Sequence, residues 1–318
     1  MKLREIYEYV VVRGMEKDPR GTNAVTRDLE LTRKKYDNLK EVEKKEFDVE
    51  SLVNPYSDTR ILFGDPETEV KRMLVGIDIE AGEVLLADRL SDKGSKVDLV
   101  MSHHPEGKAL AALHGVMHLQ EDILAQFGVS INVAEGIMAS RISEVKRGLL
   151  PVNHNRAVDA ARILGIPLMS AHTVADNQVT SYLQELMEQE KPDTLGDVLS
   201  MLKKIPEYAE AVKLNAGPTI VVGTKERRAG KILVDMTGGT GGSEDAYAKL
   251  SQAGVGTLLV MHIGEKHRKE AEKNHVNVII AGHMASDSLG MNLLLDGLEE
   301  KGLEIIACSG LLRHKREE

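Results

Sequence analysis

Histidines and aspartates recur in this sequence where apolar runs end. His103 and His104 follow the run VDLVMS, and the segments IPLMSAHTVAD and VNVIIAGHMASD each end in a histidine with an aspartate four residues later. Histidine nitrogens and carboxylate oxygens are ligands of zinc, iron and manganese, and two such ions about 3.5–4 Å apart form the usual hydrolytic pair. The pattern predicts a metal site with these candidate residues: His103, His104, His172, Asp176, His262, His283 and Asp287.

Each of these residues alone also has an ordinary structural explanation. A histidine at a strand end is commonly a hydrogen-bonding or capping residue, and Asp176 and Asp287 precede helical stretches that they could cap. Side chains at positions i and i+4 share one face of a helix, so His283 and Asp287 could instead point together into a cleft. The joint occurrence of two adjacent histidines and two His-x-x-x-Asp units favours the metal site.

The elements that must position these residues alternate from residue 71 onward. Strands are predicted at KRMLVGIDI, VDLVMS, GVSINVA (128–134), IPLMSA, TIVVG, KILVDM, GTLLVMH, VNVIIAG and LEIIACSG, with helices between them. This alternation predicts an α/β protein with buried strands. Ligand sites in such sheets lie beyond the carboxyl ends of the strands, where all the candidate histidines stand.

The second half of the sequence resembles the first. Residues 72–104 align with residues 231–264, and the two His-x-x-x-Asp segments align with each other. We therefore expect two pseudo-symmetric lobes of strands and helices with a metal site in the cleft between them. The predicted domains are a helical N-terminal extension on the surface (1–50), an N-terminal α/β lobe (51–215) with an enlarged helical segment near 105–165, and a C-terminal α/β lobe (216–318).

Composition limits the partners. The net charge of −9, the absence of tryptophan and the presence of only three phenylalanines argue against a broad nucleic-acid surface. No apolar run is long enough to span a bilayer, and the N-terminus lacks the features of a signal peptide. The single cysteine, Cys308, is predicted to be a buried structural thiol and fits a reducing cytoplasm.

Two further segments have open interpretations. In ALHGVMHLQEDIL, the spacing of His114, His118 and Asp122 would place them on one helical face, which could bind metal, although a polar surface is favoured. The turn TGGTGGSED (237–245) could cradle an anion with its backbone. A tight structural turn with Ser243 as N-cap explains it equally well, and the turn lacks the ending of a Walker A motif.

The motifs SHHP, AHTVAD and GHMASD, in this order, resemble those of the NGG-one-interacting-factor-three-like family. Bacterial members of that family are often called GTP cyclohydrolase I type 2. The resemblance covers about residues 50–312 and implies a two-lobed α/β architecture with a dinuclear metal site. It further implies the ligands His103, His104, Asp176, His283 and Asp287, with Asp176 and Asp287 bridging the ions, and His172 close by as a supporting residue or proton carrier.

The sequence also departs from the family pattern. Asp287 stands where the family usually has glutamate, and Glu106 and Gly107 stand where it has an apolar pair. The interval between SHHP and AHTVAD is longer by some tens of residues, and the N-terminal extension lies outside the common core. The chain is therefore interpreted as a divergent member.

The resemblance gives two functional hypotheses. The first is a cytoplasmic hydrolase that uses two divalent ions (zinc, iron or manganese) on a small-molecule substrate. If that substrate is a purine nucleotide such as GTP, water would attack the imidazole carbon of guanine. The second is a metal-binding or regulatory interaction protein without turnover. Many family members form ring-shaped hexamers, so a homo-oligomer is expected.

Overall fold

Two β-sheets organise the fold in the computed structural model, which describes residues 1–316. The first sheet has the order β1 (Thr59–Phe63), β4 (Leu168–Ala171), β3 (Leu99–Ser102), β2 (Arg72–Gly76) and β9 (Glu304–Cys308). The second sheet has the order β5 (Thr219–Val222), β8 (Asn277–Ile280), β7 (Val255–Val260) and β6 (Lys231–Asp235). The predicted α/β class is confirmed.

The two sheets repeat one topology. Each has an antiparallel edge strand, β1 or β5, followed by three parallel strands in reverse chain order. Only the first sheet is extended, by β9, which pairs in parallel with β2. The repeat confirms the two pseudo-symmetric lobes expected from the sequence, and it brings equivalent strand ends to equivalent places.

Helices connect and cover the strands. Their bounds are α1 (Leu3–Glu16), α2 (Thr22–Asp37), α3 (Glu41–Lys44), α4 (Ala81–Asp92), α5 (Gly107–Ala111), α6 (Leu119–Gln126), α7 (Ile131–Leu149), α8 (Arg156–Leu164), α9 (Thr173–Glu190), α10 (Leu195–Leu202), α11 (Pro206–Lys213), α12 (Ala246–Gln252), α13 (Glu265–Lys273) and α14 (His283–Glu300). Short 3₁₀ helices lie at Val49–Leu52 and Leu113–His118.

Helices α9 and α14 form the centre of the molecule. They follow β4 and β8, the third parallel strand of each lobe, and they pack against each other. Residues 173–180 of α9 and 285–292 of α14 are buried without interruption. Their backbones approach closely at Gly290, where an added Cβ would overlap the carbonyl oxygen of Ala175.

The prediction of a strand at GVSINVA is wrong, because helix α7 begins at Ile131. Its buried residues are Ala134, Met138 and Ile142, which recur at helical spacing, while Ile131 is exposed. A short apolar run does not by itself distinguish a strand from the start of a helix. The helical period becomes visible only after the run has ended.

The N-terminal region is less peripheral than expected for a surface extension. Leu3, Ile6 and Val10 of α1 are fully buried, and Asn177 of α9 donates a hydrogen bond to the carbonyl of Gly14. Helix α2, by contrast, buries only Val25. The domain boundaries at 50 and 215 remain a prediction, and strand β9 joins the first sheet although it comes from the segment 216–318.

Cys308 lies at the end of β9 and is half-buried. Burial raises the pKa of its thiol to about 11, which keeps the sulfur protonated at neutral pH. Within residues 1–316, no helix combines the length and the apolar character that crossing a bilayer would require.

The packing of α9 against α14 predicts the effect of Gly290→Ala. The added methyl group has no space beside Ala175, so we expect the free energy of unfolding to fall by about 1–3 kcal/mol or more. Chemical denaturation measures this change. The matched control is Gly136→Ala in α7, where nothing lies within 4 Å of the added Cβ. There we expect a gain of up to about 1 kcal/mol from helix propensity, and equal effects at the two positions would contradict the packing.

Candidate metal centre

The candidate side chains converge where strands of both lobes end. His103 and His104 directly follow β3, and His172 stands between β4 and α9. In the second lobe, His283 is the first residue of α14 and Asp287 lies one turn further along. A helix that starts at the strand end therefore turns both residues of a His-x-x-x-Asp unit toward the cleft.

The first cluster is buried and centres on His103. Its Nε2 atom lies 3.4 Å from Oδ1 of Asp176 and 3.5 Å from Oδ1 of Asp287. The candidate ligand atoms of these three residues all lie within 4.8 Å of one another. This is the spacing that one bound ion needs, with two carboxylates opposite an imidazole.

The second cluster uses the other oxygen of Asp287. Nε2 of His104 and Nε2 of His283 each lie 3.5 Å from Oδ2 of that carboxylate, again within 4.8 Å as a group. Asp287 thus faces both clusters, one oxygen toward each. Asp176 contacts only the first cluster, and its Oδ2 lies 3.7 Å from Nε2 of His172.

The donor atoms of this site lack partners within residues 1–316. Nε2 of His103, Oδ1 of Asp176 and both carboxylate oxygens of Asp287 are buried without a hydrogen bond. Buried polar atoms are normally paired, and unpaired buried carboxylates are costly. A cation held between these atoms would satisfy all of them, so the residues present fit metal ions.

Hydrogen bonds orient the two adjacent histidines. Nδ1 of His103 lies 3.2 Å from the carbonyl oxygen of Ala171, and Nδ1 of His104 lies 2.7 Å from Oδ1 of Asp78. In each ring Nε2 is left facing the cluster. Metal-ligating histidines typically donate their other N–H to a carbonyl or carboxylate in this way.

His172 is held in the same manner by a buried carboxylate. Its Nδ1 lies 2.8 Å from Oδ2 of Asp58, which also accepts a hydrogen bond from Oγ1 of Thr173. Burial alone would raise the pKa of Asp58, but the hydrogen bonds from His172 and Thr173 hold it below its usual range. Together with the 3.7 Å distance to Asp176, this places His172 at the edge of the first cluster. One of its ring nitrogens also lies within 4.8 Å of ring nitrogens of His103 and His104, so these three histidines form a further candidate ligand group.

Burial and neighbouring charges shift the pKa values of the carboxyl and imidazole groups in the site. Burial, joined by the neighbouring negative charge of Asp287, raises the pKa of Asp176 well above its usual range despite the opposing effect of His103. Asp287 is equally buried, yet the imidazoles of His103 and His104 hold its pKa below its usual range. Burial would lower the pKa of His104, but Asp287 and Asp78 outweigh it and raise that pKa to about 9.

Other sequence candidates are not brought into the two clusters. His262 follows β7, and its ring centroid lies 4.9 Å from that of His283, but it belongs to no ligand group found within residues 1–316. His114 and His118 lie in a 3₁₀ helix, which has about three residues per turn, so their spacing of four does not align them. His118 instead pairs with Glu121, consistent with the favoured polar surface.

Sequence reasoning missed Asp58 and Asp78, which orient His172 and His104. Asp58 precedes edge strand β1, and Asp78 follows β2, on strands other than those that carry the histidines. Their pairing depends on strand order, which the sequence does not state. The sequence contained only a weak indication of this role, which is that each aspartate stands next to the end of a strand.

A cavity of about 490 Å³ opens onto the clusters. One part of its wall consists of His104, His172, Asp176, His283 and Asp287. Another part includes Arg141, Asp235, Gly239, Gly241 and His267. A small molecule can therefore reach the candidate ligands from one side.

The fold and site define a two-lobed α/β protein with a candidate His/Asp metal site, and sequence comparison places it in a family. The family sequence model described as Duf34/NIF3 (NGG1p interacting factor 3) matches residues 116–310, well over half of the chain, so the protein belongs to this family. The matched residues include Asp176, His283 and Asp287. No curated protein matches the sequence.

Solved structures with the same fold support this assignment. A NIF3 superfamily protein from Sphaerobacter thermophilus is 28% identical with a TM-score of 0.70, over 80% of this chain and 92% of that chain. Reduced HcgD from Methanocaldococcus jannaschii is 17% identical with a TM-score of 0.53, over 83% of this chain and 93% of that chain. The second likeness is one of fold alone.

The two clusters predict that Asp287→Asn prevents metal binding at both of them. After reconstitution with zinc, iron or manganese, we expect about two ions per chain in the wild type and a large loss in the variant, measured by elemental analysis. Metal should also raise the unfolding temperature of the wild type alone, because a ligand that binds only the folded state stabilises it.

Asp245→Asn, which changes an exposed aspartate outside the clusters, provides the matched control and should retain both ions. A wild-type protein that stays metal-free after reconstitution would contradict the site.

Proposed function

We propose that this protein is a hydrolase that depends on two divalent ions, either zinc, iron or manganese, held in the candidate metal centre. The observation that carries the proposal is the cavity of about 490 Å³ whose wall includes the candidate ligands. Catalytic metal sites keep a position open to substrate, whereas purely structural sites are closed cages.

The first ion would be held by His103, Asp176 and Asp287, and the second by His104, His283 and Asp287. The distances of 3.4–3.5 Å within each cluster support this division. When bound, the ions would supply Lewis acidity, which polarises the substrate and acidifies water. The protein's part is to fix the positions of the five side chains, and the hydrogen bonds to His103 and His104 support that role.

His172 is the proposed proton carrier. Asp58 accepts a hydrogen bond from Thr173 at the same oxygen that contacts His172, so the carboxylate acts as acceptor and Nδ1 of His172 as donor. Nε2 then keeps a free lone pair at the cavity wall, where it can accept a proton and return it to a leaving group.

A purine nucleotide such as GTP is the proposed substrate. The support is the family resemblance of the three motifs, since bacterial members are often called GTP cyclohydrolase I type 2. In that reaction, water adds at the imidazole carbon of guanine and a ring C–N bond breaks. A homo-oligomeric state and a cytoplasmic location are likewise proposed from the family resemblance and the single cysteine.

Incubation of the metal-loaded protein with GTP tests the activity. We expect GTP to be consumed, followed by chromatography and the absorbance of the purine ring, and we expect no consumption by the Asp287→Asn variant. A panel of other nucleotides and phosphoesters extends the assay if GTP is not consumed. Fully metal-loaded protein that turns over none of these compounds would instead identify a metal-binding or regulatory protein without turnover.

The proton-carrier role predicts that His172→Gln retains metal but loses turnover. We expect the rate to fall by about 10²–10⁴-fold, the usual contribution of general acid–base catalysis, with the ion content unchanged by elemental analysis. His118→Gln, at an exposed histidine paired with Glu121, is the control and should be as active as the wild type. Loss of an ion in His172→Gln would show that His172 is a ligand instead.

A further inference from the structure

Part of the cavity wall outside the candidate metal ligands is formed by the glycine-rich loop, residues 237–242. Gly238 and Gly239 have positive φ angles of 91° and 82°, which non-glycine residues rarely adopt. A Cβ on Gly239 would also lie 2.7 Å from Cγ2 of Val116. The loop is therefore closely packed against the enlarged segment near 105–165.

Gln120 from that segment fixes the orientation of the loop's peptide groups. Its Nε2 atom donates to the carbonyl oxygens of Gly238 and Thr240 at 2.8 and 2.7 Å. In a trans peptide the N–H points opposite to the carbonyl, and the chain has no cis peptide within residues 1–316. The N–H groups of Gly239 and Gly241 therefore point away from Gln120.

These two N–H groups are free donors at the cavity. Gly239 and Gly241 belong to the cavity wall, and Gln120 does not. Within the described residues neither N–H donates to a protein acceptor. The N–H of Thr240, which lies between them, is bonded to the carbonyl of Gly238, so the two free donors are alternate groups of one turn. Unpaired backbone N–H groups of a turn can bind an anion.

Arg141 of α7 adds a positive charge to the same wall. Its Nε donates to the carbonyl of Gly241 at 3.0 Å and its Nη1 to Glu144 at 2.8 Å. Nη2 makes no hydrogen bond within residues 1–316. The contact with Gly241 holds the guanidinium next to the free backbone donors, while the partner Glu144 is 65% exposed and its charge is screened by solvent.

We infer that this wall, formed by Arg141 and the N–H groups of Gly239 and Gly241, binds a phosphate group of the substrate. Three donors on separate groups suit a tetrahedral oxyanion with several terminal oxygens better than a two-oxygen carboxylate. The inference rests on the proposed function in one respect. The bound phosphate would hold the reacting part of the substrate next to the candidate metal centre.

Asp235 and His267 also face this cavity and narrow the substrate class. Nε2 of His267 lies 3.1 Å from the carbonyl of Gly242, which it can bind only as a donor. Burial raises the pKa of Asp235 to about 6, so its carboxylate is largely ionised at pH 7 and can accept a hydrogen bond from a hydroxyl or N–H of the ligand. A phosphorylated sugar or nucleoside offers both a phosphate and such donors.

Titration of metal-free protein with inorganic phosphate tests the inference without relying on the metals. Isothermal calorimetry should show that phosphate binds saturably to the chelator-treated wild type. In Arg141→Met we expect the dissociation constant to rise by at least about tenfold. A tenfold change is about 1.4 kcal/mol, close to the lower bound for a hydrogen bond to a charged group. Arg141→Lys should recover part of the affinity. Arg147→Met, on the same helix but outside the cavity wall, should bind like the wild type.

Several outcomes would overturn the phosphate site. These are no saturable binding by the wild type, equal binding by Arg141→Met, or saturable binding of acetate in place of phosphate. Phosphate binding that appears only after metal is restored would place the anion at the metal centre and would leave the proposed hydrolase intact. Elemental analysis of Arg141→Met, expected to equal the wild type, separates loss of the anion site from loss of the metals. Circular dichroism checks folding, and Arg141→Gln replaces any variant that unfolds.

Discussion

The carboxylate of Asp287 sets the main constraint on this structure. It is fully buried, and both of its oxygens lack a hydrogen-bond partner among residues 1–316. Such a group is tolerated only where positive charge can be brought to it. The imidazoles of His103 and His104, both from the first lobe, lie next to this carboxylate. The same side chains form candidate metal sites. Asp287 lies near the start of α14, three residues before Gly290, where this helix packs closely against α9.

The internal duplication explains both the convergence and the asymmetry of the site. Each lobe supplies one His-x-x-x-Asp unit at the start of a buried helix, so α9 and α14 bring Asp176 and Asp287 face to face. Only the first lobe ends its second parallel strand with two histidines that join the clusters; the equivalent place in the second lobe has His262, which lies outside them. The glycine-rich loop follows β6 of the second lobe and lines the cavity together with His262.

Residues of the segment 105–165 form part of the cavity wall. Gln120 and Arg141 hold the glycine-rich loop through its carbonyl groups, and Val116 packs against Gly239. The candidate metal ligands and the residues that hold the glycine-rich loop thus lie on different elements of the fold.

The sequence by itself determined the α/β class, the repeated topology and seven candidate histidines and aspartates, five of which meet at the two clusters. These follow from short-range patterns, such as apolar runs that end in polar residues and a spacing of four at the start of a helix. Only the tertiary structure decided that Asp287 faces both clusters, that Asp58 and Asp78 orient His172 and His104, and that β9 joins the first sheet. It also showed that GVSINVA begins a helix and that α1 is buried. The physical reason is that strand order and helix packing are set by contacts between residues far apart in the chain, which no local pattern records.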